Sequence, residues 1–239
     1  MKSNSPVQKN SAVKVRTQSM STSNLTGFNP SAVTDTLNKL QNKYNDMIFY
    51  YLKYTNAFLD HISIYWACPE ATEYFQNIFC PTFNDFINQV DLSVESIFNT
   101  INNAARKWAL TCNDTYKSIS FVRFLHKKID ASSIKNDIGG SVGINAEESL
   151  KRISDLLIVK ESVSSYLSDM IQVIRNTSFL GNNQQNALLS VTTKIKNSLL
   201  DNITENVVTV KDKIIKTSAK YKDVALKNAN MFDVHGKGF

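Results

Sequence analysis

Three stretches of this chain carry apolar residues whose spacing alternates between four and three positions. The first consists of Val33, Leu37, Leu40, Tyr44, Met47, Tyr51, Tyr54, Phe58, Ile62 and Tyr65. Such spacing places apolar side chains along one side of a long α-helix, as in coiled coils and helical bundles. Only seven Gly and four Pro occur among 239 residues. The sequence therefore predicts an all-α fold.

The first two of these regularly spaced apolar stretches, called seams below, predict a helical hairpin over residues 29–112. Asn29 is the expected N-cap of the first helix, with Pro30 at its first helical position. The sequence WACP at residues 66–69 interrupts the pattern, and a second helix is predicted from about Pro69 to Thr111. Pro81 removes a backbone donor and should kink that helix near Ile78. The second seam consists of Phe83, Ile87, Val90, Val94, Ile97, Ile101, Ala104 and Trp108.

The second half of the chain repeats this plan over residues 146–230. Asn145 and Glu148 have the spacing of a helix cap, so a third helix is predicted to begin there. Its apolar stripe is Leu150, Ile153, Leu157, Leu167, Ile171 and Ile174, with a polar gap at residues 160–164. The fourth helix carries the third regular seam, Ile203, Val207, Val210, Ile214, Thr217, Tyr221 and Val224.

Residues 113–145 are predicted to form an irregular connector between the two hairpins. The sequence YKSISFVRF, residues 116–124, alternates weakly like a strand, and DIGGSVGIN, residues 137–145, is rich in Gly. The predicted architecture is two tandem antiparallel hairpins, either separate or packed as one four-helix bundle. A basic arm at residues 1–28 precedes them, and a tail at residues 231–239 follows.

Each predicted hairpin has an aromatic residue at its turn. Trp66, Ala67 and Cys68 lie at the first turn, and Phe179, Leu180 and Gly181 occupy the same place in the second. A large ring can fill the gap between two helix ends, while small residues beside it let the chain reverse. The structural interpretation of Trp66 and Phe179 is a hairpin staple, and the functional alternative is a recognition patch for a partner.

The first turn resembles the Trp-X-Gly (WXG) family of ESAT-like proteins, the small substrates of type VII secretion. The sequence YWACPEATEYFQ, residues 65–76, places Trp66 at the family's Trp, Ala71 at a small helix position, and Tyr74 or Phe75 at its aromatic position. The resemblance covers residues 30–112 and, in outline, residues 146–229. It implies a non-enzymatic hairpin that forms antiparallel four-helix units, which a tandem copy would supply from one chain.

Two features depart from the family's pattern. Cys68 stands where the family has Gly, and Phe179 stands where a second Trp would be expected. The family's export signal, Tyr followed four residues later by an acid, has no match, and the nearest variant is His126 with Asp130.

Charge is unevenly distributed along the chain, whose formal net charge is +6. The arm carries Lys2, Lys9, Lys14 and Arg16 and no acid. A solvated arm is the favoured interpretation, and contact with nucleic acid, a membrane or an acidic protein is the alternative. Residues 35–112 carry 5 basic and 8 acidic groups, or −3, whereas residues 146–239 carry 13 and 10, or +3.

The residues give no indication of catalysis. The three His residues are scattered, no pair has metal-ligand spacing, and the Gly residues of GGSVG lack the Lys-Ser/Thr of a phosphate loop. Cys68, Cys80 and Cys112 are too far apart along their helix for disulfides and are expected to be free thiols. No enzyme activity and no cofactor are predicted.

The predicted function is a structural or interaction protein within a secretion-related or virion-like assembly, with other proteins as partners in a homo- or hetero-oligomer. The alternatives are a type VII-type secreted effector or its partner, a phage virion protein and, least favoured, a membrane-active helical toxin. No segment is apolar enough to span a bilayer, and no Sec signal peptide is recognisable. Synthesis in the cytoplasm is expected, followed by leaderless export or incorporation into a particle.

Overall fold

A computed structural model describes residues 28–125, 128–177 and 179–235, with side chains through residue 229. Four long helices dominate it: α1 (Pro30–Ser63), α3 (Cys80–Cys112), α5 (Ile153–Arg175) and α6 (Asn182–His235). The shorter elements are β1 (Trp66–Ala67), α2 (Pro69–Tyr74), a π-helical turn (Phe75–Phe79), β2 (Gly143–Ile144) and α4 (Ala146–Lys151). The predicted all-α class is confirmed. Among these residues, no helix is both long and apolar enough to cross a membrane.

α1 begins at the predicted cap, because the side chain of Asn29 accepts hydrogen bonds from the backbone N–H groups of Ser31 and Ala32. The seam predicted for this helix is buried from Val33 to Ile62, except that Thr55 takes the buried place expected for Tyr54; Tyr54 and Tyr65 are half-buried. In the second helical region a π-helical turn lies where a kink near Ile78 is predicted. The N–H of Cys80 donates to the carbonyl of Phe75 there, just before Pro81, which has no N–H of its own.

The two hairpins share one hydrophobic core. Around the bundle the long helices follow the order α1, α3, α6, α5. Each is antiparallel to its neighbours, because residues later in one helix contact residues earlier in the next. For α1 and α5 this direction is seen in two contacts. Lys43 pairs with Asp169 at 2.7 Å, and further along α1, His61 pairs with Asp155 at 2.9 Å.

The connector packs on the first hairpin. Residues 116–125 and 128–134, here called the strap, run along α1 and α3 without helix or strand, and Ile129, Ala131 and Ile134 are buried in the core. Three side-chain amides hold its backbone: Gln41 bonds both the N–H and C=O of Val122, Asn102 those of Ile119, and Asn84 those of Ile129. The weak alternation at residues 116–124 thus reflects an extended segment whose hydrogen-bond partners are side chains.

A two-residue ribbon joins the end of the connector to the first turn. Trp66 is paired with Ile144 and Ala67 with Gly143, antiparallel. Just before this ribbon the chain reverses at Gly139 and Gly140, both with positive φ, which is the requirement of a tight two-residue turn. The Gly-rich sequence therefore serves a turn that returns the chain to the bundle.

Two predicted stripes differ from the structure. Leu157 and Val224, assigned to seams, are 44% and 48% exposed, whereas Leu156 and Val163 are buried. In the third helical region the chain breaks at Arg152 between α4 and α5, and beyond the break Leu167 and Ile174 are buried as predicted whereas Leu156 takes the buried place expected for Leu157. In the fourth, residues 222–229 of α6 are exposed. α6 continues to His235, five residues into the predicted tail at 231–239.

Candidate functional site

The first hairpin turn is a buried aromatic cluster. Trp66 has no exposed surface, and its Nε1–H donates to Cys68 Sγ at 3.2 Å. Its ring packs edge-on against Phe75 at 5.5 Å and stacks near Tyr74 at 6.4 Å between centroids. Ala67, Cys68, Ala71 and Phe75 are buried beside it. The ring fills the gap between the helix ends, as a staple does, and offers no surface to a partner.

The second turn is also buried at its apolar residues. Phe179 and Leu180 are 1% and 6% exposed, and Gly181 is half-buried. The side chain of Gln185 caps the end of α5, because its Nε2 donates to the carbonyls of Arg175 at 2.8 Å and of Ile174 and Thr177 at 3.2 Å. The two turns lie at opposite ends of the bundle, so the structure does not bring Trp66 and Phe179 together.

A charged cleft of about 310 Å³ opens beside the first turn, between α2 and α6. Glu70 forms an ion pair with Lys220, and Lys213 lies over the ring of Tyr74 at 5.7 Å. The hydrogen bond from Lys220 lowers the pKa of the Glu70 carboxyl from its usual 4.5. Burial raises the pKa of Tyr74, whose hydroxyl has no hydrogen-bond partner among the described residues.

The three cysteines are free. Burial raises the pKa of Cys68, and it raises that of Cys80 to about 12 with a smaller contribution from Asp130. Since the thiolate is the nucleophilic form, neither buried thiol has the environment of an activated cysteine. Cys112 is exposed. Within the described part of the chain, no group of three or more His, Cys, Asp and Glu residues is placed to hold a metal ion.

The sequence did not predict an aromatic surface that lies on the outer side of the interface between α1 and α5. Phe49 is 50% exposed, and Tyr50, Tyr54 and Tyr166 are half-buried. Tyr50 stacks on Tyr54 and on Tyr166 at 5.8 Å in both cases, with interplanar angles of 22° and 12°, and Phe49 meets Tyr50 edge-on at 5.2 Å. These four residues are called the aromatic surface below.

Two lysines border the aromatic surface. Lys53 Nζ lies 5.8 Å from the ring centres of both Tyr50 and Tyr54, and Lys43 Nζ lies 5.8 Å from that of Tyr166. These are cation–π distances. One signal of the surface was present in the sequence, because α1 has aromatic residues at positions 49 and 50, outside the seam. The contribution of Tyr166 depends on the packing of α5 and could not be read from spacing.

The arm residues Lys2, Lys9, Lys14 and Arg16 lie outside the described residues, as does His126. Their predicted roles therefore stay predictions. Comparison of the chain with protein-family models, with curated proteins and with solved structures finds no match in any of the three.

Proposed function

We propose that this chain is a non-enzymatic interaction protein that binds another protein through its aromatic surface. The observation that carries the proposal is the partly exposed set of Phe49, Tyr50, Tyr54 and Tyr166, whose rings contact one another and are bordered by lysines. Aromatic residues are enriched at protein interfaces and dominate their binding energy.

The geometry of this surface suits recognition. The tyrosine rings are held by stacking across two helices, so little side-chain freedom remains to be lost on binding. Lys53 is exposed and lies over two rings. Lys43 is paired with Asp169. The expected partner surface is apolar at its centre, with acidic groups placed to meet Lys53.

The wider setting we propose is a multi-protein assembly, either secretion-related or virion-like, as the resemblance to WXG proteins implies. A tandem copy of the hairpin suits such a role, since one chain provides a rigid bundle without a second copy. Two hairpins joined in one hydrophobic core support this interpretation. The proposal leaves two alternatives for this assembly. The chain is either a secreted effector or effector partner, or a structural protein of a phage virion.

The test replaces Phe49 with a photo-crosslinking amino acid in the full chain. The variant is expressed in the cells, or virus-infected cells, that naturally produce the protein, and cross-linking is carried out there. The matched control carries the same group at Leu92, which is 61% exposed and lies on α3. We expect one defined protein to be cross-linked from position 49 and not from position 92.

Binding of that protein should then weaken by at least about thirtyfold when Tyr50 is replaced by Ala, as for an interface hot spot. Leu92→Ala should bind as the wild type does. Equal cross-linking from both positions, or an unchanged affinity of Tyr50→Ala, would show that the aromatic surface is not the contact site.

A further inference from the structure

The interface between α3 and α6 lies on the side of the bundle opposite the aromatic surface. It contains a cavity of about 160 Å³. Its floor is apolar and buried: Tyr51, Phe83, Phe86 and Ile203 are each at most 5% exposed. The ring of Tyr51 lies nearly parallel to that of Phe86, with centres 4.5 Å apart and an interplanar angle of 5°. Its hydroxyl donates to the carbonyl of Phe83 at 3.0 Å, which fixes the ring in place.

The rim of this cavity is polar and open to solvent. Asp85 and Gln89 of α3 are exposed, and Asn202 and Asn206 of α6 are half-buried. The amide nitrogen of Asn206 donates to the backbone carbonyl of Asn202 at 2.8 Å, which leaves the amide oxygen of Asn206 as an acceptor. The rim therefore offers amide donors and acceptors and one carboxylate above an aromatic floor.

The size and lining of the cavity indicate which ligand it fits. Protein interiors have few voids larger than a water, and a water occupies only about 30 Å³ in the liquid. An engineered cavity of about 150 Å³ in another protein binds benzene. An aromatic floor with a few polar groups at the mouth is the usual composition of a small-molecule site.

We propose that this cavity binds a small planar heteroaromatic molecule of one or two fused rings. The ligand's face lies on the apolar floor near Phe86, and its ring N–H or ring nitrogen meets the amides of Asn202 and Asn206. The site is separate from the aromatic surface and does not depend on the protein-binding function proposed above.

The experiment uses the purified full chain with indole and adenine as probes, and with benzene and cyclohexanol as comparison compounds. Saturation-transfer NMR and thermal unfolding report binding. We expect saturable binding of at least one of the two heteroaromatic probes with a dissociation constant below about 1 mM, which is reasonable for ligands of that size. Cyclohexanol should bind more weakly than that probe.

Three variants locate the site. Ile203→Trp fills the cavity and should abolish binding, while Asn202→Leu removes a polar group of the rim and should weaken binding by about fivefold. Asn197→Leu changes an exposed Asn of the same helix, outside the cavity, and should leave binding unchanged. If Ile203→Trp does not fold, Asn202→Leu and Asn197→Leu still make the comparison.

Three results would overturn the proposal: no saturable binding of either heteroaromatic probe, benzene binding without them, or equal binding by wild type and Asn202→Leu. The first would make the cavity a packing defect. The second would remove the role of the polar rim, and the third would place the ligand elsewhere.

Discussion

Gln41 and Val122, 81 positions apart, exchange the same two hydrogen bonds that neighbouring strands exchange in a sheet. The amide nitrogen of Gln41 donates to the carbonyl of Val122 at 2.8 Å, and the N–H of Val122 donates to the amide oxygen at 3.0 Å. One side chain on α1 thus satisfies both backbone groups of a strap residue. Asn102 does the same for Ile119 and Asn84 for Ile129, so these residues keep backbone hydrogen bonds without helix or sheet partners.

The first prediction concerns this amide clamp. Asn102 is 5% exposed and, besides bonding both backbone groups of Ile119, accepts from the hydroxyl of Tyr116 at 2.7 Å. Asn102→Leu leaves those groups without their partner and should lower the free energy of unfolding by about 2 kcal/mol. Asn103 is exposed, so Asn103→Leu should change it by less than about 0.5 kcal/mol. Urea denaturation measures both, and equal losses would show that the clamp does not hold the strap.

The second prediction concerns the staple at the first turn. Trp66 is fully buried, so Trp66→Ala should leave a cavity and cost about 3–5 kcal/mol of unfolding free energy. Trp108, near the end of α3, is half-buried, and Trp108→Ala should cost clearly less. Thermal and denaturant unfolding of the two variants compares them. A loss at Trp66 no larger than that at Trp108 is incompatible with the staple.

The third prediction concerns thiol reactivity. Cys112 is exposed, whereas Cys68 and Cys80 are buried with raised pKa values, about 12 for Cys80. A thiol reagent at pH 8 should therefore modify one thiol quickly and two only on unfolding. Cys112→Ser should remove the fast phase. Because the folded protein binds the Cys80 proton more tightly than the unfolded chain, whose usual pKa is 9.0, this group's contribution to stability should be lost as the pH rises from 9.0 toward 12. Fast modification of either remaining thiol in native Cys112→Ser would contradict the burial.

The fourth prediction concerns the ion pair of Glu70 and Lys220. The pKa of the Glu70 carboxyl lies below its usual 4.5 because Lys220 donates to it, so its stabilising contribution is present above pH 4.5 and is lost as the pH falls through the lowered value. Both side chains are partly exposed, so solvent screens the pair and its contribution to stability should be small. In a double-mutant cycle of Glu70→Gln and Lys220→Met, the coupling energy measured at pH 7 should diminish as the pH is lowered stepwise below 4.5. Coupling that does not change with pH would rule out an ionic origin.

Much of the helical framework could be predicted, because it follows from local patterns. The seam from Val33 to Ile62 and the cap at Asn29 depend on residues a few positions apart. A π-helical turn lies near Ile78, the position at which Pro81 predicts a kink. In such stretches one helix keeps a constant angular period, so the spacing of apolar residues is enough to identify the buried face.

What could not be predicted depends on contacts between distant residues. The clamps of the strap join amides to peptides on other segments, and nothing in the spacing of Gln41 or Asn84 distinguishes them from solvated residues. In α5 the buried position is Leu156 and not the predicted Leu157, although Leu167 and Ile174 are buried as predicted. The aromatic surface also needed the packing of α5 on α1, which brings Tyr166 onto Tyr50.

The central claim is that one chain supplies all four helices of the bundle, and carbodiimide cross-linking tests it without substitutions. This zero-length reagent joins amines to carboxylates in contact, such as Lys43 with Asp169 across α1 and α5, and Lys220 with Glu70 across α6 and α2. Lys227 with Asp223, one turn apart on α6, is the internal control. In an equal mixture of ¹⁴N- and ¹⁵N-labelled protein, unfolded and refolded together, mass spectrometry should find both cross-links joining peptides of the same isotope only. Mixed-isotope cross-links, or the Lys227–Asp223 product without the other two, would contradict a bundle closed within a single chain.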